Sequence, residues 1–390
     1  MQIMNQESIK ILASQAMSAK LNRRMFLAGG LAGIGAVMLA GCSPQTSGSG
    51  GSGSAGQLSD ELGIYSFPSY SSPDVIKTFS AKNGPRVTID SFTSAEEMVA
   101  KLSAAQGTTG YDLVTSPSAY VLPLGEKGVF QKLDHDRLSN YSKLNPSLMG
   151  RSFDPSNSYS IPKATGSTGF AYDNTKISRK LETWADFLDA GANEASGRMS
   201  MIDDARTMTG PYFWANGLDW NTENKAHLKA CQDFFVKYGS NIKYFDTSVG
   251  TSGKMNSGEL DLVQGFNGDL RMGLLNEKNP ERWTFVFPDI SEVWIDNWAL
   301  ASGAPNEDAA YAYLDFLLEP KNALAEVDYL GYDTGVLGVA EEAAMSNATK
   351  YPELMFFTPE QMSKWTLSEV NSGRQTLVDV WNETKSAAGA

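Results

Sequence analysis

Two periodicities organise the apolar positions of this chain. Arg86-Val87-Thr88-Ile89-Asp90 alternates with period two, which predicts a strand, whereas Val75, Ile76 and Phe79 recur at helical spacing. Ser72 and Pro73 precede that helical pattern. A serine oxygen accepts from the orphan amides of a first turn, and a proline there lacks only a donor the turn leaves unused, so a helix is predicted to open at this point. The apolar run at 62–67 predicts the strand before it. Ser94 and Glu97 have the spacing of a capping box, opening a helix through Met98, Val99 and Leu102, and Tyr111-Asp112-Leu113-Val114 predicts the next strand. Strands alternating with helices predict an α/β lobe with a largely parallel sheet. Ligands bind such sheets at loops beyond the strand C-terminal ends, here residues 66–70 and 115–120.

The pattern recurs further on. Met199-Ser200-Met201-Ile202 predicts a strand running into Asp203 and Asp204, and residues 224–238 carry Leu228, Cys231, Phe234 and Phe235 at helical spacing. Residues 260–266 predict a strand leading into Asn267-Gly268; 283–287 and 296–301 predict two more. Helices are predicted over 307–318 and 321–330, the second closed by Gly331. No internal sequence repeat accompanies this repeated topology.

The first residues set the compartment. Asn22-Arg23-Arg24-Met25-Phe26-Leu27 places two arginines before an uncharged apolar run, residues 25–40, and resembles a twin-arginine export signal. The run ends in Leu39-Ala40-Gly41-Cys42, which resembles a lipobox, where the signal is cleaved and the cysteine acylated. It is shorter than the roughly 20 apolar residues that span a bilayer, and four glycines loosen it, so an uncleaved membrane helix is the weaker reading. Residues 1–41 are expected to be removed, and Cys42 to carry the lipid. Residues 42–57, almost wholly Gly and Ser from 47 onward, are expected to be a flexible tether. The mature protein is then periplasmic or at the cell surface, held to the membrane. About 330 residues follow the tether, enough for two lobes.

Losing the signal removes four basic residues and one acidic one, taking the net charge from −13 to about −16. An acidic surface argues against nucleic acid and is mildly favourable to cations. Cys231 is the only other cysteine, so acylation of Cys42 leaves no intramolecular disulfide. The only histidines, His135 in a charged loop and His227 on a polar helix face, read as solvated and make a poor inventory for general-base catalysis. No Gly-rich phosphate loop follows a strand, and no His/Cys cluster offers a metal site. Neither an enzyme nor a cofactor is expected.

Seven segments, in order, resemble the polyamine-binding (spermidine/putrescine) group of substrate-binding proteins serving ABC importers. They are Ser91-Phe92-Thr93-Ser94-Ala95-Glu96-Glu97-Met98 with Ala100-Lys101-Leu102, Tyr111-Asp112-Leu113-Val114, Gly128-Val129-Phe130-Gln131-Lys132-Leu133-Asp134, and Phe153-Asp154-Pro155 with Tyr159-Ser160-Ile161-Pro162. Asp203-Asp204-Ala205-Arg206, Trp294-Ile295-Asp296 and Leu330-Gly331-Tyr332 follow. The resemblance implies a two-lobed periplasmic-binding-protein clamshell, type II-like, with crossing hinge strands. Lobe 1 is expected to comprise residues 58–167 plus 295–340, and lobe 2 residues 168–294 plus 341–390. One ligand binds between them and is delivered to a membrane permease, by a monomer without chemistry. A sensor presenting ligand to a membrane receptor is the other use of such a clamshell.

A polyamine needs spaced carboxylates for its ammonium groups and aromatic faces for its methylenes. The resemblance makes Asp296 the first ammonium partner and Asp204 the second, with Trp294, Phe266, Tyr332, Tyr70 and Phe67 as walls. Trp294 and Asp296 stand two apart on a strand and so share a face; Asp203 reads as a surface or hinge residue. Ser69, Ser118, Thr207, Lys163 and Thr366 complete the implied set. Departures matter here. The family commonly has acids where this chain has Ser69 and Thr207, an aromatic where it has Lys163, and a tyrosine where it has Ala119. Fewer carboxylates and an added lysine point to fewer ammonium groups, or to a zwitterionic amine whose negative group meets Lys163. Compensation by Glu292 or by Asp333 is the alternative, which the sequence leaves open.

Overall fold

The computed structural model describes residues 58–105, 110–346 and 349–389; the expected signal, Cys42 and the tether lie outside them. Ten strands are present among the described residues: β1 (Glu61–Ser66), β2 (Arg86–Ser91), β3 (Leu113–Pro117), β4 (Phe130–Gln131), β5 (Ser160–Asp173), β6 (Met199–Met201), β7 (Ile242–Phe245), β8 (Leu262–Phe266), β9 (Trp283–Val286) and β10 (Val293–Ala301). The helices are α1 (Pro73–Asn83), α2 (Ala95–Ala104), α3 (Ser118–Glu126), α4 (Trp184–Ala192), α5 (Ala205–Ala215), α6 (Lys225–Tyr238), α7 (Asn267–Leu275), α8 (Glu307–Leu317), α9 (Pro320–Leu330), α10 (Val339–Met345), α11 (Pro359–Lys364) and α12 (Arg374–Ala388).

The strand order is β2-β1-β3-β10-β5-β8-β6-β7, with β4 on β10 and β9 on β5. At 14 residues β5 is more than twice a common strand, and every residue in it is buried. Its length lets it serve two sheets. Ser160 to Ser167 pair with Ala299 to Val293 of β10, and Thr168 to Tyr172 then pair with Phe266 to Leu262 of β8. The outer pairs β1–β2, β1–β3, β6–β7 and β6–β8 are parallel, as the strand–helix alternation predicts. The sheets are nevertheless mixed, because β5 and β10 run antiparallel to their neighbours. This corrects the expectation of a largely parallel sheet. The βα pattern detects parallel units but carries no mark for a strand that returns from another part of the chain.

Period-two alternation sorts the side chains into four cores, one on each face of each sheet. Leu62, Ile64, Trp298 and Leu300 pack with Phe79, Tyr313 and Leu314 on one face of the first sheet, while Tyr65, Val114 and Ala299 meet Phe92 and Met98 on the other. In the second sheet Phe170 and Leu262 face Trp184, Phe213 and Phe235, whereas Ala171 and Val263 face Leu270 and Trp283. Cys231 is a free thiol in the third of these cores, where burial raises its pKa well above that of an ordinary thiol. The tail of the chain visits both halves. Val339 and Met355 join the first core, and Leu377 and Val380 that of Trp184.

The predicted helix openings hold at α1, where Ser72 accepts from Val75 N, and at α6, where Asn224 accepts from Ala226 N. At α2 Ser94 caps Glu97 N, but the Glu97 carboxylate bonds the amide and hydroxyl of Thr93, at 2.8 and 2.9 Å, instead of completing the box. Gly331 closes α9 at φ 77°. The predicted strand at 199–204 is cut to three residues because Asp204 is taken as the N-cap of α5.

One buried carboxylate ties β1, β3 and α8 together. Asp112, wholly buried, accepts from Gly63 N at 2.7 Å, Asn306 N at 2.6 Å and Asn306 Nδ2 at 3.2 Å. Replacing it with alanine strands buried donors, each costing about 1–3 kcal/mol. Asp112→Ala is therefore expected to lower unfolding free energy by about 3 kcal/mol in urea titrations; a loss too small to measure would remove Asp112 from this role.

Candidate ligand-binding site

The site grows out of β10. Glu292, Trp294, Asp296 and Trp298 share one face by alternation along the strand and the residue before it. Trp298 ends in the core, Trp294 and Asp296 are partly exposed, and Glu292 is buried. The indole of Trp294 lies against the bare backbone of β5. A Cβ on Gly166 would stand 2.2 Å from Trp294 Cζ2, so only glycine leaves the ring its place. Tyr332 meets Trp294 edge-on at 4.8 Å, and Phe266, the last residue of β8, does so at 6.0 Å. Gly268 fits under Tyr332 for the same reason, a Cβ there coming within 2.5 Å of Tyr332 Cε1.

Asp296 accepts a 2.8 Å hydrogen bond from the Tyr70 hydroxyl. Tyr70 sits in the loop after β1, edge-on to Phe67 at 5.7 Å, beyond Ser69, which is exposed and left-handed at φ 54°. Opposite Asp296 the β5–β10 register slips: Asp296 pairs with Ala164 and Asn297 with Pro162, leaving Lys163 as the extra residue of a bulge. The bulge sends Lys163 inward. Its Nζ lies 4.6 Å from the Tyr70 ring centre and 4.5 Å from that of Trp298, and the residue is 3 % exposed. Burial lowers its pKa, while the charges of Glu326 and Asp296 oppose that shift. Removal from water also pushes Asp296 up to about 6, against the pull of the Tyr70 hydroxyl and the Lys163 charge.

At the other end of the same face, burial pushes Glu292 up to about 7; the Thr168 hydroxyl opposes this, the Asp204 charge adds to it, and Thr207 and Arg206 oppose it. Asp204 uses Oδ1 to cap α5, accepting from Arg206 N at 3.1 Å and Thr207 N at 2.8 Å. Ser118 is spent on the strand itself, donating to Ile295 O at 2.5 Å. Thr366 is exposed and contributes backbone: its amide donates to Ser291 O at 3.0 Å and its carbonyl accepts from Val293 N at 3.1 Å. Asp333 bonds Gly335 N at 2.8 Å, and its backbone pairs with Thr165. Asp203 accepts from Trp381 Nε1 and Lys385 Nζ, away from β10.

The structure thus brings Asp296, Tyr70, Phe67, Trp294, Phe266, Tyr332 and Lys163 into one connected set, with Asp204 and Thr207 grouped around Glu292 beyond Trp294. Residues the sequence reading passed over join α2 to α12. Glu96 of α2 contacts the Arg374 guanidinium of α12, and Tyr120 donates to the same Glu96 oxygen at 3.1 Å. They are 278 residues apart, and no local pattern signals such a pair. Glu292 did carry a signal, its parity with Trp294 and Asp296. The histidines differ from the solvated reading. His135 shares a 2.7 Å hydrogen bond with Asn157 O and stacks on Tyr141 at 4.3 Å, because its loop folds back on the lobe, and the Nδ1 of His227 is buried.

Comparison with known proteins places this geometry. The profile of a family described as bacterial extracellular solute-binding protein matches residues 74–355. The chain belongs to that family. The putrescine/agmatine-binding protein of Pseudomonas aeruginosa is 30% identical over 306 residues, 74% of this chain and 82% of the relative. Spermidine/putrescine-binding periplasmic protein 1 of Haemophilus influenzae is 28% identical over 297 residues, covering 76% and 80%. Among solved structures, the TpPotD lipoprotein of Treponema pallidum superposes with TM-score 0.73 at 26% identity, covering 84% of this chain and 99% of that one. The spermidine/putrescine ABC transporter substrate-binding protein from Streptococcus pneumoniae gives 0.72 at 26%, covering 85% and 100%. This solute-binding protein therefore has the α/β periplasmic-binding-protein fold, its two sheets joined through the long β5.

Tyr70 holds the Asp296 pKa down by hydrogen bonding to the ionised form, so removing the hydroxyl has a defined sign. Tyr70→Phe is expected to raise the Asp296 midpoint above about 6 in a carboxyl-carbon NMR titration. An unchanged or lowered midpoint would mean the bond is not formed in solution.

Proposed function

We propose that the protein captures an amine, of the polyamine class or closely related to it, between its two lobes and delivers it to an ABC permease. The observation that carries this reading is the juxtaposition on β10 of Asp296 with Trp294, walled by Tyr332, Phe266, Tyr70 and Phe67. A carboxylate drawn out of water is costly until a cation joins it; an ammonium group supplies that cation with short charge-assisted hydrogen bonds. The rings then cover methylenes and add cation–π attraction of roughly 0.5–2 kcal/mol each. The names of the relatives, which bind putrescine, agmatine or spermidine, support the same class. Asp204, with one oxygen free of its capping bonds, serves the far end of the cleft, and Thr207, Ser69, Ser118 and Thr366 shape its edges.

Lys163 favours this amine reading over a zwitterionic ligand. Its ammonium is enclosed by Tyr70 and Trp298, beside Asp296 and Glu326, and is not presented to a ligand carboxylate. In its place inside lobe 1 it balances part of the acidic charge before ligand arrives.

The reading includes delivery in space. Residues 1–41 act as a twin-arginine signal, Cys42 carries the lipid, and the Gly/Ser tether of 42–57 leaves a monomeric clamshell free to reach its permease from the membrane surface. Lobe 1 is assigned residues 58–167 and 295–340, and lobe 2 residues 168–294 and 341–390, with Met355 of the tail packing back on the lobe 1 core. The lipoprotein relative of similar fold supports the anchor.

Calorimetry on the mature protein with putrescine, agmatine, spermidine and a set of zwitterionic amines tests the assignment; heat with an amine and none with the zwitterions is expected. Absence of heat with every diamine and polyamine would sink it. Asp296→Ala is expected to abolish binding of the amine found while leaving the melting curve of a folded protein, and unchanged affinity would remove Asp296 from the site. The sign of the pH dependence follows from the raised Asp296 carboxyl. Cation binding favours its ionised form, so affinity should weaken as pH falls through about 6, and binding near pH 6 should release protons to the buffer.

A further inference from the structure

We propose that Glu292 is the carboxylate that receives the second ammonium group of the ligand, and that its distance from Asp296 along β10 fixes the ligand as a diamine of four or five carbons. The inference rests on the amine reading above and adds a residue and a length to it.

Three observations carry it. Glu292 lies on the same strand face as Trp294 and Asp296, with the indole between the two acids. It is 4 % exposed, yet among the described residues it has no ion-pair partner within 4.0 Å. The basic side chain nearest in sequence on α5, Arg206, is turned elsewhere, donating to Trp220 O at 3.3 Å, Asn221 Oδ1 at 2.9 Å and Asn371 Oδ1 at 3.4 Å. The groups that do hold Glu292 are neutral, the hydroxyls of Thr168 on β5 and Thr207 on α5. A buried carboxylate held by hydroxyls, on which the Asp204 charge outweighs the opposing charge of Arg206, lacks a directly bonded cation. Thr207 and Glu292 form one unit, the hydroxyl from α5 holding the acid supplied from β10.

The spacing then acts as a ruler. Four residues of extended strand separate the two Cα atoms by about 13 Å, and side chains rising from one face keep roughly that separation. Five staggered bonds of about 1.5 Å set the nitrogens of a four-carbon diamine about 6 Å apart. Adding a charge-assisted hydrogen bond of about 2.8 Å at each end gives about 12 Å between the accepting oxygens, and a fifth carbon adds about 1 Å. The terminal nitrogens of spermidine, with its nine bonds, would require about 17 Å. The methylenes between the two nitrogens fall at Trp294, Phe266 and Tyr332.

The test is calorimetry with 1-aminobutane, putrescine, cadaverine and spermidine on wild type, Glu292→Gln and Glu292→Asp. Wild type should prefer the diamines to both other ligands. Glu292→Gln, which keeps size and hydrogen bonding but loses charge, should weaken diamine binding about tenfold to hundredfold and reduce discrimination against 1-aminobutane by a similar factor. Glu292→Asp should retain most of that discrimination. Wild-type affinity for putrescine should rise with pH through about 6, as Asp296 ionises, and again through about 7, as Glu292, facing Asp204 and Arg206, does; Glu292→Gln should keep only the lower step. Glu292→Gln binding diamines as wild type does, a pH profile that the Gln variant leaves unchanged, or equal weakening of 1-aminobutane and the diamines would overturn the assignment of Glu292 while leaving amine capture standing. Spermidine bound more tightly than either diamine would overturn the length. Absence of binding by all four would instead remove the amine reading beneath it.

Discussion

The antiparallel pairing of β5 with β10 is the contact on which both the fold and the proposed site depend. These strands are hydrogen-bonded side by side in the first sheet, and β5 alone continues into the second, so each sheet is completed by backbone that belongs to the crossing. A hydrogen-bond ladder is well suited to the middle of a ligand cleft. It satisfies its own polar groups, leaving the alternate side chains of one face free to meet a ligand. The bulge at Lys163 is the one irregularity in this ladder, and it falls opposite Asp296. By turning Lys163 under Tyr70 it places a fixed positive charge behind the carboxylate, so part of the cost of burying Asp296 is met within lobe 1.

The glycines and capping residues of the site follow from the same crowding. Gly166 and Gly268 leave space for Trp294 and Tyr332 where a methyl group would displace them, and Asp204 doubles as an N-cap. Two of the carboxyls that burial raises, Asp296 and Glu292, mark the ends of the aromatic stretch between them. Raised acids in a cleft with few cations are the signature expected of a site whose counter-charge arrives with the ligand. The pairing of Glu96 with Arg374 joins α2 to α12 and gives the two halves a direct polar contact independent of the strands.

Much of the fold was legible because its signals are local. The Ser72-Pro73 opening, the helix at 224–238, the Gly331 close and the strand at 86–90 are fixed by chemistry within a few residues, and each stands where the pattern placed it. The long β5 was not readable in this way. All 14 of its residues are buried, so no polar face interrupts it, and Gly166, Gly169 and Pro162 read as breakers although each fits the strand. The mixed sheet was missed for a related reason: strand direction at β10 is set by a partner more than a hundred residues away. For the site, the parity of Trp294 with Asp296 could be read directly, and the same parity extended to Glu292. The bonding of Tyr70 to Asp296, the inward turn of Lys163 and the contact of Glu96 with Arg374 are tertiary facts, for which spacing along the chain holds no signal.

The central claim is that an amine lies along β10 with its charge at Asp296. A crystal structure of the mature protein with putrescine tests this most directly. The account predicts one nitrogen within hydrogen-bonding distance of the Asp296 carboxylate and the carbon chain against Trp294, with Lys163 still enclosed by Tyr70 and Trp298. Ligand density elsewhere, or a diamine whose nitrogens contact neither Asp296 nor Glu292, would contradict it.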